Sequence, residues 1–205
     1  TGGISGYLGG DGCVIIGCKN YGTVSSKGAI GGIVGKIHSG IEMRYCENYG
    51  AVSTSGTGES SAAGIIGCVR TTDKVYNVIE CTNYGTVTST NKSNNSFAAG
   101  ILGVWKNYPT INITRCVNEG AIAVDNAESA WGYIAGILGG PIHQNKFEND
   151  ADQSGTVKIT INGCTNNGTL TRPSGGADCA VGTYRCGEIA SCSDRVCLSG
   201  WRILC

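Results

Sequence analysis

Apolar and polar residues alternate in five short stretches of the chain, and each stretch ends just before a cysteine. Three residues before that cysteine the chain carries Ile15, Met43, Val78, Ile113 and Ile161. Five residues before it the chain carries Cys13, Ile41, Tyr76, Ile111 and Ile159. A period of two, rich in β-branched residues, is typical of a strand with one buried face. The pattern therefore predicts five equivalent strands, and no stretch shows the capped period of a helix.

Two motifs repeat in step with these strands. The first is a heptad, C-x-N-x-G-[TA]-[VIL], whose copies begin at Cys18, Cys46, Cys81, Cys116 and Cys164. The second is G-I-x-G, whose copies begin at Gly3, Gly32, Gly64, Gly100 and Gly136. Asn-x-Gly is turn chemistry, and glycine within a strand marks a close approach of two backbones. Two motifs that alternate with a common period indicate a repeated supersecondary unit.

Three short strands per repeat, joined by turns, predict a right-handed parallel β-helix. Because each motif occurs five times, the sequence predicts about five coils, with equivalent strands stacked roughly 4.8 Å apart. We expect two domains, a β-solenoid over residues 1–171 and a small cysteine-rich C-terminal cap over residues 172–205. The boundary is placed where Pro173-Ser174-Gly175-Gly176 breaks the repeat. A segment as short as the cap cannot build its own apolar core, so disulfides are expected to hold it together.

The repeats resemble the GLUG-motif family of bacterial surface proteins. The matching cores are Gly31-Gly32-Ile33-Val34-Gly35, Ala63-Gly64-Ile65-Ile66-Gly67 and Ala99-Gly100-Ile101-Leu102-Gly103, each paired with a cysteine heptad. The resemblance covers roughly residues 2–170, has Ile where Leu is common, and does not extend to the tail. In that family the repeats occur in large adhesins and beside proteases. The resemblance implies a surface stalk or a binding module and implies no catalytic activity.

Composition narrows the class of partner. Fifteen basic and fifteen acidic residues give a formal net charge of zero, and neither sign forms a block. The chain therefore lacks the basic surface expected of a nucleic-acid-binding protein or of a protein that binds an anionic membrane. No stretch reaches the roughly 18–20 apolar residues that a membrane helix needs. The chain begins at Thr1, without a signal-peptide pattern, which we interpret as a processed form or an excised segment.

Cysteine content points to an oxidising, extracellular or cell-surface location. The chain has twelve cysteines, and the cap contains five of them. Because five is odd, one must pair outside the cap or stay free; the disulfide candidates are Cys164, Cys179, Cys186, Cys192, Cys197 and Cys205. Four N-x-[ST] sequons, at Asn91, Asn94, Asn112 and Asn167, are compatible with a secreted glycoprotein.

Three positions of the heptad are candidates for chemistry. The cysteines lack metal-ligand spacing, so they are expected to form a buried column of thiols, or in some coils disulfides between neighbouring coils. The asparagines are expected to form an internal amide ladder, with ligand binding as the alternative. Tyr21, Tyr49 and Tyr84 are expected to point outward. They form either a platform for sugar rings or a protein partner, or a stack that only stiffens the solenoid.

One further segment has the residues of a cation site. Asp150, Asp152 and Ser154, followed by Gly155, match the first half of a calcium loop. The closing acidic residue is missing, because Ile161 occupies the twelfth position, so a solvated polar loop is the alternative. No other cofactor is expected.

No catalytic constellation is visible in the sequence. His38 and His143 lie in expected turns without a nearby acid, so we expect a non-enzymatic protein. The leading hypothesis is a rigid extracellular structural protein whose copies stack head to tail in a filament or surface appendage, because the first coil presents an open strand edge. The alternative is a glycan- or protein-binding module of a larger surface adhesin.

Overall fold

The computed structural model is a parallel β-helix of five coils, each built from five short strands. It describes residues 1–56, 60–71, 73–91, 96–126, 132–141, 157–171 and 181–182. No helix occurs among these residues. The all-β, stacked-coil architecture expected from the alternating pattern is therefore confirmed, and so is the number of coils.

The strands follow the same order in every coil. The first coil contains β1 (Ser5–Leu8), β2 (Cys13–Ile16), β3 (Lys19–Asn20), β4 (Val24–Ser26) and β5 (Ile30–Gly31). The second contains β6 (Val34–Ile37), β7 (Ile41–Arg44), β8 (Glu47–Asn48), β9 (Val52–Thr54) and β10 (Ser60–Ala63). The third contains β11 (Ile66–Arg70), β12 (Val75–Ile79), β13 (Thr82–Asn83), β14 (Val87–Asn91) and β15 (Ser96–Ala99). The fourth contains β16 (Leu102–Lys106), β17 (Thr110–Thr114), β18 (Val117–Asn118), β19 (Ile122–Asn126) and β20 (Gly132–Ala135). The fifth contains β21 (Leu138–Pro141), β22 (Lys158–Asn162), β23 (Thr165–Asn166), β24 (Leu170–Thr171) and β25 (Val181–Gly182).

Strands at the same place in successive coils pair in parallel and form five five-stranded sheets. We number the sheets one to five by the order of their strands within a coil. The register places equivalent repeat positions opposite each other, as Cys13 pairs with Ile41 and Ile41 with Tyr76. Each inward position therefore becomes a column of side chains along the axis.

The coil has five strands where three were expected, because a corner before the heptad cysteine and a bend at G-I-x-G each add a division, while the Asn-x-Gly turn lies where it was predicted. One corner lies just before the heptad cysteine, where the residue has a positive φ in every coil: Gly17 (64°), Tyr45 (57°), Glu80 (51°), Arg115 (50°) and Gly163 (61°). This left-handed residue separates the second sheet from the third. The Asn-x-Gly turn separates the third sheet from the fourth.

The G-I-x-G motif forms a further bend that the sequence pattern does not predict. At this motif the chain turns from the fifth sheet into the first, and the two sheets fold back on each other as an arch. Within the arch, one face of the fifth sheet packs against one face of the first sheet. Ser61 Oγ donates to the Gly67 carbonyl at 2.9 Å across this contact. Cys68, Phe97, Val104 and Tyr133 fill the space between them.

The opposite faces of the arch line the two main cores. The fifth sheet packs on the fourth through residues such as Ile30 and Val52. The first sheet packs on the second through residues such as Val34 and Met43. The strands of the arch in coils two and three, such as β10 and β11, are consequently buried on both faces over most of their length.

Glycine is required at both ends of the motif because of these contacts. A Cβ on Gly64, at the tip of the arch, would lie 2.1 Å from Cγ of Asn83. A Cβ on Gly67 would lie 2.6 Å from the backbone of Ile30. The two sequence motifs therefore meet in space, since the tip glycine of one motif touches the asparagine of the other.

The fifth coil closes with residues that the sequence assigns to the cap. Val181 pairs with Ile134, so β25 extends the fifth sheet beyond residue 171. The division into a solenoid and a C-terminal cap stays a prediction. Residues 172–180 and 183–205 fall outside the described residues, and with them Cys179, Cys186, Cys192, Cys197 and Cys205.

Candidate functional site: three columns at one corner of the coil

The heptad asparagines form a continuous amide ladder inside the solenoid. Asn20 Nδ2 donates to Asn48 Oδ1, Asn48 to Asn83, and Asn83 to Asn118, each at 2.8 Å. The ladder ends with a 2.7 Å bond from Asn118 to Asn166. The second proton of each amide goes to the carbonyl of the glycine two residues on. The predicted internal ladder is therefore present, and each amide points the same way along the axis.

The heptad cysteines form a second inward column of free thiols. Cys46, Cys81 and Cys116 are fully buried, Cys164 is nearly so, and Cys18 is half-buried. The backbone N–H of Cys81 donates to Cys116 Sγ, and that of Cys116 to Cys164 Sγ, at 3.4 Å. Hydrogen bonding to the Cys81 thiol and burial raise the pKa of Cys46, so this thiol stays protonated. Among the described residues, these cysteines are therefore free thiols and form no disulfides between coils.

Tyr21, Tyr49 and Tyr84 form an outward column of stacked rings. The ring centroids lie 4.9 and 4.7 Å apart, with interplanar angles of 9° for both pairs. The rings turn their faces toward each other and offer solvent mainly their edges and hydroxyls. Tyr21 is 69% exposed against 39% for Tyr49, which lies between two rings, and 45% for Tyr84, which has Tyr49 on one side and the position of Glu119 on the other.

Charged groups surround the middle of this column. Lys19 pairs with Glu47 at 2.6 Å, and the Tyr49 hydroxyl donates to the same carboxylate at 3.0 Å. These hydrogen bonds lower the pKa of Glu47. The bond to Glu47 raises the pKa of Tyr49. In the coil that follows Tyr84, Glu119 occupies the tyrosine position and accepts a hydrogen bond from Asn167 Nδ2 at 2.9 Å.

The sequons differ in accessibility. Asn91 is fully buried and its amide donates to Ser60 Oγ at 3.0 Å, which argues against a glycan at this side chain in the folded chain. Asn112 is half-buried and donates to Asn77 at 2.9 Å on an outer face. Asn167 is exposed. Asn94 lies outside the described residues.

The predicted calcium residues Asp150, Asp152 and Ser154 also lie outside the described residues, as does His143. Within the described ranges, no cluster of three or more His, Cys, Asp or Glu side chains is arranged to hold a metal ion. His38 packs on Tyr7, with ring centroids 5.2 Å apart.

A cleft in the arch is the feature that the sequence does not indicate. It is lined by Ala29, Lys36, Ser60, Ser61, Cys68, Arg70, Phe97 and Val104. These residues come from the fifth and first sheets of several coils. No linear spacing brings them together, because their proximity depends on the fold-back at G-I-x-G.

The fold and the three columns define a repeat protein of the parallel β-helix class, with a buried amide ladder and an exposed tyrosine stack. No protein-family model, no curated protein and no solved structure matches this chain. Among the described residues, no helix is long and apolar enough to span a membrane.

Proposed function

We propose that this chain is a non-enzymatic extracellular structural protein, a rigid β-solenoid whose copies stack head to tail in a filament or surface appendage. The amide ladder and the five parallel sheets support rigidity, because every coil is bonded to its neighbours at each of its strands. The high cysteine content and the resemblance to surface-protein repeats support the location.

The observation that carries the stacking is the incomplete burial of the inward residues of the first coil. Its inward residues Cys13, Ile15 and Cys18 are only partly buried, while their partners in the second coil are buried. Among the described strands, β1 to β5 are the edge strands of their sheets, and an edge strand is a template for further parallel strands.

The test is a pair of lysine substitutions on one strand. Ile15→Lys places an ammonium on the inward column, where stacking would bury it, while an unstacked end lets the side chain reach water. Ile16→Lys is the matched control, because Ile16 points outward and is 57% exposed. We expect the unmodified chain and Ile16→Lys to form filaments in negative-stain micrographs and Ile15→Lys to remain monomeric in sedimentation. An unmodified chain that stays monomeric at every concentration overturns the proposal.

A second candidate is a glycan- or protein-binding module of a larger adhesin, favoured by the exposed tyrosine column. Tyr21, Tyr49 and Tyr84 offer a row of ring edges and hydroxyls beside the Lys19–Glu47 pair. Replacing all three tyrosines with Ala should abolish binding on glycan or protein arrays. Tyr45→Ala is the control, since this tyrosine is also exposed but lies off the column. Binding that survives the triple substitution rules the column out.

A further inference from the structure

The arch between the fifth and first sheets is filled unevenly along the axis. In the third and fourth coils Phe97 and Tyr133 stack with centroids 4.6 Å apart and close the space. The same column continues to Ser61, which pairs in register with Phe97, and then to the small side chain of Ala29. The loss of two rings leaves a cavity of about 90 Å³. One water needs only about 10–15 Å³ of such space, so the cavity accepts a group of several atoms.

Lys36 supplies a positive charge to this cavity. It lies on the first sheet, directly in register with the buried Cys68. Within the described parts of the chain, no carboxylate lies within ion-pair distance of its ammonium group. Burial, then Lys36, then Arg70 lower the pKa of nearby His38, which is consistent with a positive potential at this end of the arch.

The remaining lining residues suit a small anion with an apolar stem. Ser60 Oγ accepts from the buried Asn91 of the fourth sheet, so this side chain faces the core on the other side of the strand, and the polar side chains of the cavity are those of Ser61, Lys36 and Arg70. Arg70 lines the same cavity, and Ala29, Phe97 and Val104 form its apolar wall. Two cationic side chains against an apolar wall favour a ligand with negative oxygens and an apolar stem.

We propose that this cavity is an oxyanion-binding subsite that holds a carboxylate or sulfate group, with Lys36 as its charged anchor. The inference is independent of stacking and of the tyrosine column. Both groups share the required chemistry, and both occur on acidic sugars.

The test compares sodium sulfate and sodium acetate with sodium chloride at matched ionic strength, followed by the amide NMR shifts of Ser60, Ser61 and Cys68. We expect a saturable shift with one or both oxyanions and none with chloride; the anion that saturates identifies the group. Lys36→Gln should weaken binding at least about tenfold, as expected for loss of one charge-assisted hydrogen bond. Lys27→Gln is the matched control, because Lys27 is exposed and does not line the cavity.

A second variant guards against an indirect effect of the charge change. Ala29→Phe extends the aromatic column into the cavity and leaves Lys36 in place, so it should also abolish the saturable shift. Shifts that never saturate, or that persist unchanged in both Lys36→Gln and Ala29→Phe, overturn the proposal.

Discussion

Each interior asparagine of the ladder is satisfied by three partners that water cannot reach. Asn83 donates to Asn118 and to the Gly85 carbonyl and accepts from Asn48, all at 2.8 Å. A buried polar group without a partner costs more than its hydrogen bond contributes when made. At the residue scale, loss of any one interior asparagine is therefore expected to destabilise the protein.

Asn83→Ala should destabilise the protein by at least roughly 3 kcal/mol, because three buried partners each lose a bond worth about 1–3 kcal/mol when left unpaired. Asn77→Ala is the control, since this asparagine is only half-buried and bonds to Asn112 on an outer face. It should change stability by no more than about 0.5 kcal/mol. Urea unfolding measures both, and equal losses would contradict the role of the ladder.

The direction of these side chains could be predicted from spacing, because alternation fixes which residues face inward. The same rule was available for Asn91, where Val87, Ser89 and Asn91 alternate as buried positions along β14. The Asn-x-Ser/Thr sequon does not indicate which face of a strand its asparagine occupies, so the sequon taken by itself predicts an accessible side chain. The identity of the tyrosine neighbours was predictable, but the orientation of the ring faces was not.

At the element scale, the arch depends on the absence of side-chain atoms at its tip. The five tip glycines contact the five ladder asparagines, so the arch and the heptad corner fix each other's position. A substitution at the tip therefore disturbs two sheets and the amide ladder at once.

Gly64→Ala should cost roughly 1–3 kcal/mol, the range for overpacking a core, because its Cβ would meet the Asn83 side chain. Gly6→Ala is a control at the fourth motif position of the first coil, where an added Cβ meets nothing within 4 Å. Thermal unfolding of the two variants gives the comparison. A Gly64→Ala protein as stable as Gly6→Ala would show that the tip contact is not close.

The left-handed corner offers a stabilising change. Tyr45 adopts φ 57°, a conformation that costs an L-residue about 1–2 kcal/mol and glycine almost nothing. Tyr45→Gly should raise the free energy of unfolding by up to about 1 kcal/mol, as the greater freedom of glycine in the unfolded chain offsets part of the gain. Tyr45→Ala removes the same ring without relieving the backbone and should not stabilise. Stabilisation by both variants would point to the ring instead.

Strand existence was predictable from period-two alternation, and strand division was not. The corner residues Tyr45, Glu80 and Arg115 carry no turn signal, although Gly17 and Gly163 at the same repeat position do. The fold-back at G-I-x-G also escaped prediction, because an arch buried on both faces produces a continuous apolar run and no alternation.

At the scale of the whole molecule, the described strands of each coil pair only with those of neighbouring coils, and in the arch the fifth sheet also contacts the first sheet two coils on, as Ile30 and Gly67 show. Stability is therefore a sum of coil terms and of terms for these interfaces. The half-buried thiols Cys13 and Cys18 belong to the first coil, and the buried thiols to the coils behind it. Local unfolding is expected to begin at the first coil, because among the described coils it has a neighbour on only one side.

Alkylation of the native protein should label Cys13 and Cys18 first and leave Cys46, Cys81 and Cys116 protected until unfolding. Peptide mapping by mass spectrometry reads each site separately. Equal labelling rates along the column would show instead that the solenoid opens as one unit.

The common direction of the amide ladder makes the interior coils interchangeable. Every donor faces the acceptor of the following coil, so Asn48 presents to Asn83 the same group that Asn83 presents to Asn118. Excision of residues 65–100 would join Gly64 to Ile101 and bring Asn48 onto Asn118. The shortened chain should keep its β-sheet circular dichroism, lose about 4.8 Å of length in small-angle scattering, and unfold at lower urea. Loss of the β-sheet signal would show that the coils are not equivalent. Growth or loss by whole coils is thus a change that this architecture tolerates, whereas a partial coil would leave the ladder out of step.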